Sequence, residues 1–242
     1  MSSVVVAVLT VVAYLVVVAL IWRRNGVRYD RLSESRDTVV KGIVVPMGVG
    51  SVLLAVVTTA LGWWEPSLVQ SPRSGPTWAL VVPVVLALAA ALGLTSIDWR
   101  SPRARTVLPV LAVGCLLVGF AEELGTRGLV LVGARDSGMG ELAAALLTMV
   151  VFSLVHAMNA LFGQSRGQTL VQLGLTFVAG AAFYVTRMTT GSLVVAMLLH
   201  ALWDFGLLGT NATGRTVRPP QAVAVGATYL LGLVALWFVA TS

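Results

Sequence analysis

Residues 106–133 read TVLPVLAVGCLLVGFAEELGTRGLVLVG. As one helix this segment is about 42 Å long at 1.5 Å per residue, more than the ~30 Å hydrocarbon core of a bilayer. Its charged residues, Glu122, Glu123 and Arg127, lie together inside an otherwise apolar run. A soluble amphipathic helix would repeat its charges along one face, turn after turn. Charges confined to one level of an apolar helix instead mark a membrane span that carries ionisable groups. The partners of those groups must come from the rest of the chain.

The composition of all 242 residues supports a membrane setting: 57% are hydrophobic and 11% charged, against about 25% charged in a soluble domain. The mean hydropathy is +0.92. A soluble globular domain is excluded, because so few polar residues cannot cover so many apolar ones. The formal charge of +6 does not point to nucleic acid, since the basic residues lie in short loops between apolar runs, where topology accounts for them. The single cysteine, Cys115, sits in an apolar run, which excludes an intramolecular disulfide and a CxxC metal site.

Stretches without Asp, Glu, Lys or Arg run over 1–22, 42–64, 74–97, 106–121, 142–165, 167–186, 188–203 and 219–242. About 20 residues span the bilayer core as a helix, so eight transmembrane helices are expected. The fourth should continue past its carboxylates to about residue 133, and the seventh should run from about 190 to 209, since a charge-free rule would cut both at functional residues. The first run reads as a retained anchor rather than a cleaved leader. Loop 23–41 is expected to be a short solvated connection, and loop 65–76, with Pro66, Pro72, Gly75 and Pro76, a non-helical turn. Twelve basic residues then fall on one side, among them Arg23, Arg24, Arg100, Arg103, Arg105, Arg166, Arg215 and Arg218, against Arg73, Arg135 and Arg187 on the other. The basic side is expected to be cytoplasmic, with both termini outside and the protein multi-pass in the cell membrane. Trp22, Trp63, Trp64, Trp78, Trp99 and Trp237 stand near helix ends and read as interfacial anchors.

Six ionisable residues are expected within the membrane: Glu122, Glu123, Arg127, His156, His200 and Asp204. A charge at the bilayer centre costs about 2.5–3.5 kcal/mol on insertion scales, so such residues point to function. Glu123 and Arg127 are i,i+4 neighbours and can pair, leaving Glu122 about 100° away around the helix and free for chemistry. His200 and Asp204 share one face of the seventh helix, and Phe152 and His156 one face of the fifth. Counting from the outer turn near residue 137, Glu122 lies roughly 22 Å and His156 roughly 28 Å deep; from residue 190, His200 and Asp204 lie roughly 15 and 21 Å deep. The levels overlap between the midplane and the cytoplasmic face, so the expected fold is all-α, a polytopic membrane helix bundle around an intramembrane active-site cavity open to the cytoplasm.

A carboxylate in an apolar pocket can act as a base near neutral pH, and a nearby imidazole can share its proton. Glu122 with His156 can thus activate a water, and His200 with Asp204 can face the carbonyl or oxyanion. The chemistry expected is hydrolysis. His156, His200 and a carboxylate are also zinc ligand types, although no HExxH is present, and no GxSxG marks a serine nucleophile. A non-catalytic binding protein and a proton-coupled transporter are the rival classes; no internal repeat supports the transporter.

The stretch Ala121-Glu122-Glu123-Leu124-Gly125-Thr126-Arg127-Gly128 matches an EExxxR motif, Phe152-Ser153-Leu154-Val155-His156 an FxxxH motif, and His200-Ala201-Leu202-Trp203-Asp204 an HxxxN/D motif. In this order, on separate expected helices, they resemble the CPBP family of intramembrane proteases, which groups CAAX-processing endopeptidases with bacterial Abi and bacteriocin-related proteins. The resemblance covers roughly residues 115–206. It implies an endopeptidase acting on a membrane-associated or prenylated protein, with Glu122 as base for the water, His156 as its partner, and His200 with Asp204 at the oxyanion. Glu123 and Arg127 would orient the site, and Phe152, Asn159 and Trp203 would wall the substrate cavity. The family has been described both as metalloproteases and as metal-independent glutamate proteases; no cofactor is expected here, with zinc the alternative, and an immunity or membrane-chaperone role on the protease fold is a further one. Two positions depart from the family pattern: Thr126 stands where an aromatic commonly precedes the arginine, and Asp204 where CAAX-processing enzymes have an amide. The chain is expected to form a single membrane domain over 1–242, with a CPBP-like core at about 106–210, accessory helices over 1–105 and a closing helix at 219–240. The expected partners are the lipid bilayer and a peptide or protein substrate.

Overall fold

A computed structural model describes residues 2–71 and 76–241. Among the described residues, eight helices are long and apolar enough to cross a membrane: α1 (Ser3–Asn25), α2 (Arg36–Leu61), α4 (Thr77–Ser96), α5 (Pro102–Asp136), α6 (Glu141–Phe162), α7 (Arg166–Thr190), α8 (Leu193–Ala212) and α9 (Pro219–Thr241). A short helix, α3 (Trp64–Leu68), lies between α2 and α4. The described residues contain no strand, and a single isolated bridge joins Val69 to Ser192. The all-α bundle expected from the apolar runs is therefore the fold observed.

Three departures have local causes. The charges of loop 23–41 are not all in a loop: α2 starts at Arg36, because Ser35 and Thr38 form a reciprocal capping box that supplies partners for the first free backbone N–H groups. Arg36, Asp37 and Lys41 thus ride on the first turns of a membrane helix. Loop 65–76 is not wholly irregular, since Pro66 falls in the first turn of α3, where its missing N–H costs nothing; Pro72, Arg73 and Gly75 lie outside the described residues. Arg187, expected in a loop, is fully buried in α7 and donates from Nη2 to the Pro66 carbonyl at 2.7 Å. That bond ties α3 over the end of the bundle opposite the basic loops.

The bundle is centred on α5, which packs along α8, while α4 and α9 pack against α8 and α7. Gly119 permits the α5–α8 contact: a Cβ there would stand 2.4 Å from the Met197 carbonyl oxygen and 3.0 Å from the Ala201 nitrogen. The two backbones approach closely one turn before Glu122, which brings the acidic face of α5 against His200. On α1, Val5, Leu9, Val12, Val16 and Leu20 form an outward apolar stripe, as lipid-facing positions do. Trp78, Trp99 and Trp237 remain exposed near helix ends. Trp22 does not behave as an interfacial anchor, because it is buried and its Nε1 donates to the Gly42 carbonyl.

Candidate active site

The helix α5 is not a regular α-helix through the site. From Leu124 to Val130 it widens into a π-helical segment, a form that occurs mostly in short stretches at functional places. Thr126 Oγ1 donates to the Glu122 carbonyl at 2.5 Å, and the same oxygen accepts from Arg127 Nη1 at 3.1 Å. Thr126 therefore has a polar role, joining the Glu122 carbonyl to Arg127.

Glu123 and Arg127 have no exposed surface, and Arg127 Nη1 lies 3.0 Å from Glu123 Oε1. Arg127 Nη2 donates to the Gly180 carbonyl, and its guanidinium lies 4.1 Å from the centroid of Phe152. Two charges thus cancel inside the bundle with hydrogen bonds and a ring face as further partners, which offsets their loss of water. Glu123 also does something the sequence does not reveal: its Oε1 accepts from His200 Nδ1 at 2.9 Å.

The four expected reacting residues come together. His200 Nε2 lies 3.9 Å from Glu122 Oε2 and 3.7 Å from Asp204 Oδ2, and His156 Nε2 lies 4.0 Å from Glu122 Oε2. His156 Nδ1 is 2.9 Å from the Phe152 carbonyl; a carbonyl only accepts, so the proton is on Nδ1 and Nε2 is turned to the cavity. Glu122 Oε2 is buried and has no direct hydrogen-bond partner among the described residues. Separations near 4 Å are too long for direct bonds but suit one water about 2.8 Å from each group.

Among the described residues, two sizeable cavities reach this cluster. One, of about 230 Å³, is walled by α1 and α2 side chains, including Tyr14, Val18, Trp22 and Met47, and reaches Glu122. The other, of about 570 Å³, is walled by Phe152, Phe183, Trp203 and Tyr229 and reaches His200. Both touch His156, Gln172 and Asp204. Phe152 and Trp203 wall the second cavity, and Asn159 borders the first one while donating to Gln172.

The convergent donors are of a kind zinc accepts, with Nδ1 of each histidine held by an acceptor beyond it. Ligands around a tetrahedral zinc stand about 3.3 Å apart, closer than the 3.7 to 4.0 Å seen here. Among the described residues no group of three His, Cys, Asp or Glu is placed to hold one ion.

A search of the sequence for charges passes over several cavity residues. Phe183 stacks on His200 at 4.7 Å between ring centroids. Tyr14 and Tyr29 come from the N-terminal segments, and Gln172 from α7. The available signal is a polar stripe at every fourth residue of α7, Gln168, Gln172 and Thr176, with Gln164 in phase just before the helix starts.

Fold and cluster together define a class: polytopic helical membrane proteins with ionisable groups gathered inside the bundle. Sequence comparison adds a similarity over part of the chain. The family model described as type II CAAX prenyl endopeptidase Rce1-like matches residues 104–206, so this segment, less than half of the chain, is similar to the CPBP, or CAAX-protease, family. It runs from the start of α5 into α8 and contains all three motifs. A search of curated proteins finds no match to the chain.

Proposed function

We propose that the chain is an intramembrane endopeptidase that hydrolyses a peptide bond of a membrane-associated or prenylated protein, using a water activated by Glu122 and His156. The observation that carries this is Glu122 Oε2, unbonded and within 4.0 Å of Nε2 of both histidines. Glu122 takes a proton from the water, whose oxygen attacks the carbonyl carbon. His156 Nε2, with its proton at Nδ1, accepts a hydrogen bond from the water or from protonated Glu122. Both nitrogens of His200 face carboxylate oxygens, so each is attractive only as a donor, and Nε2–H can turn to the oxyanion. Collapse of the tetrahedral species breaks the C–N bond, and the proton held by Glu122 passes to the leaving amine. The products are a carboxylate and an amine.

The first cavity lies beside Trp22 and Tyr29, and the second beside Gln164 and Gly167, at the end of the bundle that carries the basic loops. The positive-inside rule then makes this the cytoplasmic end of a cell-membrane protein. The test is incubation of the purified protein and of Glu122→Ala with a quenched peptide library that includes a prenylated member, with and without a chelator. Cleavage lost in the variant and kept with chelator is expected. Loss with chelator would return the site to zinc, and equal cleavage by both proteins would overturn the role of Glu122.

A further inference from the structure

The two cavities meet beside the reacting groups at Gln172. Its Oε1 accepts from Asn159 Nδ2 at 3.0 Å and from Gln164 Nε2 at 2.9 Å. With two donors fixed on the oxygen, the orientation of the carboxamide is set, and its nitrogen donates to the Tyr29 hydroxyl at 2.8 Å. That bond uses one amide hydrogen. The second amide hydrogen and the Tyr29 hydroxyl hydrogen have no acceptor among the described residues.

A polar staple between the segment after α1, the end of α6 and α7 accounts for the bonds that are made. It does not account for two spare donors at the junction of cavities walled largely by apolar side chains such as Val18, Met47 and Phe183. A peptide that runs from one cavity to the other passes Gln172 as it passes His156 and Asp204, which also line both. Its carbonyl groups have left water there and need donors.

We propose that Gln172 and Tyr29 bind backbone carbonyl oxygens of the substrate beside the scissile bond and so set its register against Glu122. Asn159 and Gln164 are positioning residues that hold the Gln172 amide. The proposal rests on the endopeptidase function above, and it places one substrate contact, Tyr29, outside the family-matched segment 104–206.

The probe is a fluorescein-labelled farnesylated tetrapeptide, measured by anisotropy against detergent-solubilised Glu122→Gln protein, with KM and kcat read separately in the Glu122 background. Tyr29→Phe removes one hydroxyl and keeps the ring beside Trp22, whose centroid is 6.2 Å away; Gln172→Met removes the amide. Each is expected to weaken binding about tenfold, the size of one net hydrogen bond, and to raise KM alike while kcat changes little. Unchanged binding in Tyr29→Phe, or a loss confined to kcat, overturns the carbonyl contact and leaves the endopeptidase function standing. No binding to the Glu122→Gln parent overturns the cavities as a peptide site, and the contact with it.

Discussion

His200 Nδ1 stands 2.9 Å from Oε1 of Glu123, the same oxygen that lies 3.0 Å from Arg127 Nη1. The carboxylate that neutralises the buried arginine thus also orients the imidazole facing the cavity. Structural and functional duties of the EExxxR motif meet on one atom, and the two can be separated by substitution.

Glu123→Leu leaves Arg127 buried without its carboxylate and is expected to cost about 3–5 kcal/mol of stability. Adding Arg127→Leu should recover most of that loss, because a buried pair replaced by apolar groups is often neutral. Activity should not return, since His200 has lost its acceptor. Denaturation in detergent and kcat, measured on the single and double variants, check both halves; recovery of kcat with stability would show that Glu123 serves only the ion pair.

Glu122 makes no hydrogen bond through Oε2, so Glu122→Gln should leave the melting temperature close to that of the parent. It should lower kcat by about 10²–10⁴, the usual contribution of a general base. A large fall in melting temperature with kcat preserved would make Glu122 a structural residue.

Asp204 closes the HxxxN/D motif, and its Oδ2 lies 3.7 Å from His200 Nε2. If this position acts on the oxyanion, Asp204→Asn supplies a permanent N–H donor and should keep or raise kcat. Asp204→Leu should lose about 10²-fold, as removal of one oxyanion donor does. Equal inactivity of the two variants would tie Asp204 to its charge instead.

Gly119→Ala places a methyl group 2.4 Å from the Met197 carbonyl oxygen, a backbone atom that cannot swing aside. Forcing α5 from α8 should cost about 1–3 kcal/mol and move Glu122 away from His200, lowering kcat as well. Gly226→Ala, with open space around it, is the matched control and should change neither quantity.

Much of the site was legible in one dimension because charges are conspicuous in an apolar chain. Glu122, His156, His200 and Asp204 stood out by residue type, and rise per residue alone put them at overlapping depths. The same conspicuousness misleads at Arg187: charge alone assigns it to a loop, whereas it is buried and bonded to the Pro66 carbonyl. Gln172 and Phe183 escape a search for charges because an uncharged side chain in an apolar helix looks like packing until its neighbours are known, and Tyr29 because it stands in the charged segment after α1.

The sequence by itself determined that eight segments can cross a membrane and which residues do not belong in lipid, since unbroken apolar length and the cost of charge in hydrocarbon act residue by residue. Only the tertiary structure decided that Glu123 serves Arg127 and His200 together, that α5 widens after Glu123, and that two cavities meet at Gln172. Those features depend on how each helix is rotated and how closely it approaches its neighbours. In a bilayer the lipid-facing and protein-facing sides of a helix are equally apolar, so the hydrophobic pattern that would orient a soluble helix carries no such information, and contacts such as Gly119 on Met197 set the orientation instead.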